Sequence, residues 1–580
     1  MSTGRPRRAI AAAAALALSG TLAACGGGGS GNGGAGGVLT VSAGAGGNFV
    51  RNFNPYAPQP LQATNGMIYE PLFHFNAART GEVDPWLATK YTWADGGKSI
   101  RIQLRTNVTW NDGKPFTADD VAYTFQMTKD NKALNMYALP VASVKAEGKH
   151  TVVITFTKSA YTKEYFLLGK IKMLPRHIWS KLPAKEKATT LNPNPVGTGP
   201  WKVKSVKGTT LDLVARKDYY IKGLPHFKIM RYRAFTGNNA ANAAVTSGQI
   251  DWAGGFIPDI EKNYLAKNKK FDLVNIPLAT TSFIPNAQRG PTADVRVRKA
   301  ISAALDRDFM NRSVYDGQAP AANPMALLLP NYQSVLDPSL KGATMETGQD
   351  KVDGYLTDSG YAKGPDGMWR KNGKKLSVSV ELVSGWTDYV SVAQMAKEQL
   401  KKAGIDLVVK AESYSQWSNN RARGQFQMLL DNAGYTPDPR AYYAQMLDSS
   451  IPPEIGQSTN VGNFGRYAND TIDKALDKIG ETTDLARQKP WYYKIQQEFI
   501  KDMPLIPLFS AQNEQEFNGN RVTGYPTEDN LYAAPSIWLD PDGGWVAARI
   551  KPAAGKAAGK SAGKSAGKSA GKSAGKTAGK

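Results

Sequence analysis

The stretch LATKYTWADGGKSIRIQLRTNVTWNDGKPFTADDVAYTF, residues 87–125, contains signals for a strand, a tight turn and a helix start. Apolar and polar residues alternate over 100–105, which predicts a β-strand. The triplet Asn111-Asp112-Gly113 is a hairpin-turn signal. This succession of short elements indicates a mixed α/β protein.

Two adjacent carboxylates, Asp119 and Asp120, follow the turn and raise the question of acid–base catalysis. Adjacent side chains on a helix do not face a common substrate. Thr117 stands three residues before Asp120, which is the spacing of a capping box. We therefore interpret these acids as the start of a helix rather than as a catalytic pair.

The region 371–410 predicts a strand, a helix and a second strand. Apolar residues alternate over 376–382, recur at helical spacing over 392–403, and form a second strand over 405–409. Gly404 is suited to end the helix. This order is typical of a parallel crossover unit. A further helix is predicted over 297–305, with Asp294 as its N-cap.

Taken together, seven stretches resemble family 5 solute-binding proteins, the extracytoplasmic receptors of oligopeptide-type ABC importers, and the resemblance covers about 38–550. They are residues 87–125, PVGTGPWKV (195–203), KDYYIKGLPHF (217–227), AAVTSGQIDWA (243–253), DVRVRKAISAALDR (294–307), LKKAGIDLVV (400–409) and MPLIPLF (503–509).

The resemblance implies an α/β, two-lobed periplasmic-binding-protein-like (class II) fold with mixed sheets and a discontinuous first lobe. Lobe I would comprise 38–280 and a return segment over 510–550, and lobe II would comprise 281–509. Family members close around a solute and deliver it to a permease, with energy from a separate ATPase. The resemblance therefore implies a receptor that is not an enzyme and needs no cofactor.

The N-terminal residues predict export and lipid anchoring. Residues 1–24 have the charged start, short apolar run and small residues of a signal peptide. An ordinary export signal is favoured over a twin-arginine signal, since only Arg7-Arg8 fits the latter. The only cysteine of the chain, Cys25, follows Leu22-Ala23-Ala24, which resembles a lipoprotein lipobox and implies lipidation at the cell membrane. Residues 26–37 form a glycine-rich linker.

The C-terminal segment 551–580 repeats a lysine-containing motif and predicts a disordered tail. Its Gly-Lys-Ser triplets lack the upstream glycine of a phosphate-binding loop. The formal net charge is +23, and the eight lysines of this tail contribute a large share. Two interpretations of the tail stay open: it contacts anionic lipids or cell-wall polymers, or it has no specific partner. Export argues against nucleic acid as a partner.

The ligand class is predicted from positions at which this sequence differs from the family's usual residues. Peptide-binding members carry an aspartate four residues before the proline of an acidic-proline pair, where it holds the ligand's ammonium group. The matching loop NAGYTPDPRAYY, residues 432–443, has Tyr435 at that position, with Asp438 nearby. Because a buried ammonium needs a counter-charge, this departure weighs against peptides with a free N terminus.

Other stretches favour an oligosaccharide. IDWAGGFIP (250–258) and YPTEDNLYAAP (525–535) are similar to the branch that binds cellobiose and other β-linked oligosaccharides. Aromatic rings stack on sugar faces, so Trp252 and Trp386 are candidate platforms, although a tryptophan is more often part of the core. Phe53, Asn54 and Asn65 are additional candidates in early lobe I loops. The family default remains peptide.

Two other classes of function compete with the receptor. An exported glycoside hydrolase needs two carboxylates across a cleft, and the sequence shows no pair placed for that role. A surface adhesin would act through the lysine-rich tail. The four histidines, His74, His150, His177 and His226, are scattered singly, so no metal site is predicted.

Overall fold

The structure, a computed structural model, describes residues 37–554 apart from 58, 435, 453, 460 and 461, and apart from the side chains at 45 and 512. The strands are β1 (Val38–Ala45), β2 (Phe73–Phe75), β3 (Val83–Pro85), β4 (Ala88–Ala94), β5 (Ser99–Leu104), β6 (Val141–Ala146), β7 (Thr151–Phe156), β8 (Trp201–Lys207), β9 (Thr210–Ala215), β10 (Ile229–Phe235), β11 (Trp252–Gly254), β12 (Phe271–Pro285), β13 (Ala362–Lys363), β14 (Trp369–Lys371), β15 (Lys374–Lys375), β16 (Ser377–Val383), β17 (Asp406–Glu412), β18 (Met428–Gly434), β19 (Ile506–Asn518), β20 (Val522–Thr523) and β21 (Lys551–Pro552). The helices are α1 (Ala118–Asp130), α2 (Arg176–Trp179), α3 (Asn238–Thr246), α4 (Ile260–Asn263), α5 (Val295–Ala303), α6 (Arg307–Tyr315), α7 (Gln349–Asp358), α8 (Thr387–Lys402), α9 (Tyr414–Arg423), α10 (Pro439–Leu447), α11 (Asp470–Ile479), α12 (Leu485–Asp502) and α13 (Asp542–Arg549).

One ten-stranded sheet runs through both halves of the fold, in the order β17-β16-β18-β12-β19-β11-β1-β10-β9-β8. The long strands β12 and β19 pair antiparallel from Phe271 opposite Asn518 to Phe283 opposite Ile506. They join a half that contains β1, β10 and β11 to a half that contains β16, β17 and β18. The two-lobed α/β fold with mixed sheets and a discontinuous first lobe is confirmed. The predicted lobe boundaries at 280/281 and 509/510 fall inside β12 and β19.

The stretch 87–125 forms part of a second, four-stranded sheet of order β4-β5-β7-β6, followed by α1. Along β5 the apolar residues are buried and the polar ones largely exposed, as the alternation predicted. Gly113 adopts a positive φ of 88° in the turn that follows. Thr117 and Asp120 form the predicted capping box, in which the Thr117 backbone N–H donates to Asp120 Oδ2 at 2.9 Å. The acid thus has a structural role in starting α1.

The predicted crossover unit is also present in the second half. Strands β16 and β17 pair in parallel, and α8 connects them. Gly404 follows α8 with a φ of 85°, and a side chain there would collide with the backbone oxygen of Gly367. Asp294 caps α5 by accepting a hydrogen bond from the Arg296 backbone N–H at 2.9 Å. These local signals all lead to the predicted elements.

A buried histidine, in the hairpin of β2 and β3, contacts α13 through its side chain. His74 is fully buried, with Nδ1 at 3.2 Å from Asp84 Oδ2 and Nε2 at 3.3 Å from Asp542 Oδ1. Its ring stacks on Trp545 with centroids 4.5 Å apart. Burial alone would lower the pKa of His74, but the two carboxylates raise it above its ordinary value. His74 therefore serves the packing of this lobe.

The predicted terminal segments fall largely outside the described residues. These are the signal peptide 1–24, Cys25, nearly all of the linker 26–37, and the tail from 555 onward. The tail was predicted to begin at 551, but Lys551 and Pro552 form β21 and pair with β20. The backbone pairing extends the folded part of the chain slightly beyond the predicted limit. No helix within 37–554 has the length and apolar character needed to cross a membrane.

Candidate functional site

A cavity of about 600 Å³ lies between the two halves of the sheet. One wall comes from 43–50, 59–62 and 254–256, which include the ends of β1 and β11 and their following loops. The facing wall comes from the first turn of α8, from α9 and from β18, and 509–515 of β19 contribute between the walls. Loops at the carboxyl ends of parallel strands are the usual place for ligand sites in such sheets.

A second groove, of about 970 Å³, lies within the half that follows β12. Its lining comes from 303–308, 320–329, 343–352 and 399–403, with Thr280 and Ser510 from the connecting strands. No described residue before 280 lines this groove. Since a solute held by both lobes must contact both, we take the smaller cavity between the halves as the candidate site.

Aromatic rings form much of the wall of the candidate site. The Trp386 ring lies 5.1 Å from that of Trp417, 5.4 Å from that of Tyr389 and 6.2 Å from that of Tyr414, measured between centroids. On another part of the wall the Tyr315 ring contacts Phe256 with centroids 5.6 Å apart. Flat apolar faces of this kind suit the rings of sugars and the side chains of peptides.

Hydrogen bonds fix the polar groups of the facing wall. Tyr389 donates through its hydroxyl to Asn432 Oδ1 at 2.7 Å, and Thr281 Oγ1 donates to the same oxygen at 2.7 Å. Arg421 Nε lies 2.7 Å from Asp431 Oδ2, which makes an ion pair inside the cavity. Burial raises the pKa of Asp431 in spite of this arginine.

Two further carboxylates line the cavity without a cationic neighbour in the described part of the chain. Asp388 accepts from Asn238 Nδ2 at 3.3 Å and from the Tyr315 hydroxyl at 3.4 Å. Burial raises the pKa of Asp388 to about 6. Burial and the charge of Asp388 raise the pKa of Glu514 to about 7. Both carboxylates therefore become negatively charged as the pH rises above about 7.

Among the residues predicted from the sequence, Trp386 lines this cavity. Trp252 does not, because it is fully buried, stacks on Phe517 with centroids 5.7 Å apart and donates from Nε1 to Gln515 Oε1 at 3.3 Å. Phe53 and Asn54 are also fully buried, and Asn54 Nδ2 donates to the backbone oxygens of 187 and 190. In this structure these three residues have no free surface to offer a ligand.

The other predicted residues lie elsewhere. Asn65 forms a backbone bridge with Tyr69 and is not among the described lining residues. Asp438 caps α10 by accepting from the Ala441 backbone N–H at 2.8 Å. Tyr435 lies outside the described residues. A ligand contact by any of the candidates stays a prediction.

Sequence reasoning missed the two carboxylates of the site. Asp388 stands two residues after Trp386 in LVSGWTDY, so the rule that selected Trp386 applies to it equally. Glu514 lies in the middle of β19, where an acidic residue ordinarily indicates an exposed strand face. Its place beside the cavity depends on pairing with β11 and β12, which are far away in the sequence.

Two lobes that enclose a cavity at the carboxyl ends of their parallel strands define a periplasmic-type binding protein. The family model for bacterial extracellular solute-binding proteins, family 5 (middle region), matches residues 82–452. The chain belongs to this family, whose members are extracytoplasmic substrate-binding receptors of ABC transporters and not enzymes.

Curated relatives and solved structures agree with this assignment. The oligopeptide-binding protein AppA of Bacillus subtilis is 27% identical over 473 residues, which is 78% of this chain and 83% of AppA. The nickel-binding periplasmic protein of Escherichia coli is 26% identical over 470 residues, which is 78% of this chain and 86% of that protein. A mannohexaose-bound periplasmic oligopeptide-binding protein of Thermotoga maritima has a TM-score of 0.82 at 25% identity, covering 89% of this chain and 99% of that one.

Proposed function

We propose that this receptor captures an oligosaccharide in the cavity between its lobes and delivers it to the permease of an ABC importer. The observation that carries the proposal is the aromatic wall around Trp386, in a cavity lined by both halves of the fold. The Thermotoga maritima relative, named for oligopeptides, was solved with mannohexaose, which supports a sugar as ligand within this family. We place lobe I at 38–280 with 510–550, and lobe II at 281–509.

A titration of intrinsic tryptophan fluorescence tests the ligand class. We expect saturable changes with manno- or cello-oligosaccharides, together with contraction of the particle in small-angle scattering as the lobes close. Trp491, which lies in a surface groove of α11 and α12, provides the matched control, since W491A should leave the response intact where W386A reduces it. Hydrolysis of the oligosaccharide during the titration would instead support a glycoside hydrolase.

An oligopeptide is the second candidate, and the carboxylates Asp388 and Glu514 favour it, since they could pair with the ammonium group of a peptide. AppA of Bacillus subtilis carries the name of an oligopeptide-binding protein. A saturable response to peptides, with none to oligosaccharides, would establish this alternative and overturn the sugar proposal.

We further propose that Cys25 is lipidated after removal of 1–24 and holds the receptor on the outer face of the cell membrane, with 26–37 as the tether. Replacement of Cys25 by alanine should release the protein into the medium. Retention of the alanine variant at the membrane would contradict this anchor. We propose an anionic cell-wall or lipid surface as the contact of the tail, and deletion of 555–580 should then weaken binding to anionic vesicles without loss of solute uptake.

A further inference from the structure

The candidate cavity contains more acidic side chains than basic ones. Among the described lining residues, the charged side chains are Asp388, Arg421, Asp431 and Glu514. Arg421 lies 2.7 Å from Asp431, so that this pair is neutral as a unit. No cationic side chain of the described part of the chain faces Asp388 or Glu514, whose neighbours are hydroxyl, amide and backbone groups and each other. Two acidic side chains therefore face the cavity without a cationic partner from the described part of the chain.

A further buried acid, Glu516, lies on the same strand as Glu514 and does not line the cavity. Glu516 is 2% exposed and stands two residues after Glu514, on the same face of β19. Its Oε1 atom and Glu514 Oε2 are buried and have no hydrogen-bond partner among the described residues. Burial and the charge of Glu514 raise the pKa of Glu516 well above its ordinary value. The raised pKa favours the neutral form of Glu516, so the unpartnered acceptor that lines the cavity is Glu514 Oε2. A buried acceptor without a partner is costly, and a donor on a bound ligand would satisfy it.

The surroundings of the two carboxylates fit a cation as well. Tyr315, which donates to Asp388, also lines the cavity, and its ring packs against Phe256 and Phe509. Trp386 lies two residues before Asp388 on the same wall. Aromatic faces attract an ammonium group and also cover the apolar part of a ligand. Aromatic and acidic groups thus meet in one part of the site.

We propose that the cavity selects a solute that carries a protonated amine, and that Asp388 and Glu514 hold this amine. The inference rests on the proposed function and specifies the charge of its solute. The amine has two sources, the amino group of an amino sugar and the free N terminus of a peptide. Asp388 belongs to α8, and Glu514 belongs to β19, which joins the two halves of the large sheet, so a bound amine would contact both of these elements.

Matched ligand pairs test this inference near neutral pH by calorimetric titration. The first pair is a glucosamine oligomer and its fully N-acetylated counterpart, and the second is a short alanine peptide with a free N terminus and the same peptide N-acetylated. We expect the amine form of at least one pair to bind at least about tenfold more tightly than its acetylated partner. The pair that shows the difference identifies the source of the amine.

The double variant D388N/E514Q should remove this preference, because both substitutions keep size and polarity but eliminate the negative charges. D119N is the control, since Asp119 is exposed on α1 and does not line the cavity. Thermal unfolding and circular dichroism of the variants check that the fold is intact.

Four outcomes would overturn the inference. Equal binding of amine and acetylated forms excludes selection for charge, and an amine preference that survives in D388N/E514Q excludes these two residues. Tight binding of neutral oligosaccharides alone removes the inference while the proposed receptor function stands. If no oligosaccharide and no peptide binds, the proposed function and the inference both fail.

Discussion

Asp388 is predicted to lower the stability of the ligand-free protein. Burial raises its pKa from 3.8 to about 6. Above about pH 6 the folded protein therefore contains an ionised carboxylate in surroundings that favour the protonated form. In the unfolded chain the same group ionises near its ordinary pKa. Stability therefore decreases as pH rises between these two values, and the full cost, about 3 kcal/mol, applies above the higher one. This cost is an upper limit, because solvent reaches part of the side chain.

The substitution D388N removes the charge and keeps the local contacts. The asparagine oxygen can accept from Asn238 Nδ2, and its amide can donate to the Tyr315 hydroxyl. We expect the free energy of unfolding at about pH 8 to increase by up to about 3 kcal/mol, and the gain to vanish near pH 4. Urea denaturation at a series of pH values measures both quantities.

The matched control for this experiment is D119N, which changes an exposed aspartate and should alter stability by less than about 0.5 kcal/mol. The reasoning would be refuted if D388N were no more stable than the natural protein at about pH 8 while the control behaved as expected. A gain in stability that did not depend on pH would equally exclude desolvation of a charge as its cause.

Three further predictions concern the site and the core. W386A should weaken oligosaccharide binding at least about tenfold in calorimetric titrations, with W491A unchanged, and equal affinities would exclude Trp386 as a platform. H74N should lower the free energy of unfolding by about 3 kcal/mol at low pH, because the imidazolium form of His74 makes the ion pairs. This loss of stability should shrink as pH rises through the raised pKa of His74. A loss independent of pH would contradict a charged His74. Affinity for an amine-bearing ligand should fall as pH is lowered through about 7 and about 6, where Glu514 and Asp388 become protonated. The other titratable groups nearby are the acids Asp431 and Glu516 and the cation Arg421. An affinity that rose instead would contradict the pairing of the amine with Asp388 and Glu514.

Most elements of the fold could be predicted from the sequence because their signals are local. The alternation over 100–105, the capping box at Thr117 and the glycine at 404 each act within a few residues, and all three lead to the predicted structure. The order of strands in the large sheet could not be obtained in this way. It depends on residues more than two hundred positions apart, as in the pairing of β12 with β19.

The site was predicted less completely for the same reason. Trp386 could be selected because it directly follows a strand of a local crossover unit. Trp252 has a comparable local context, yet β19 pairs with β11 and Phe517 covers its ring. Glu514 reaches the cavity through the same distant pairing. Local sequence therefore identifies candidates near strand ends, and the partner strands decide which of them are accessible.

The position of β19 between β12 and β11 has a consequence for how the newly exported chain assembles. Residues 506–518 come near the end of the described chain, but they are inserted between strands that are synthesised much earlier. Until they arrive, the early strands present an unsatisfied edge that invites mispairing with other chains. Chaperone protection is therefore expected to matter until residue 518 has emerged, and neither lobe should be obtainable as an autonomous fragment by simple truncation.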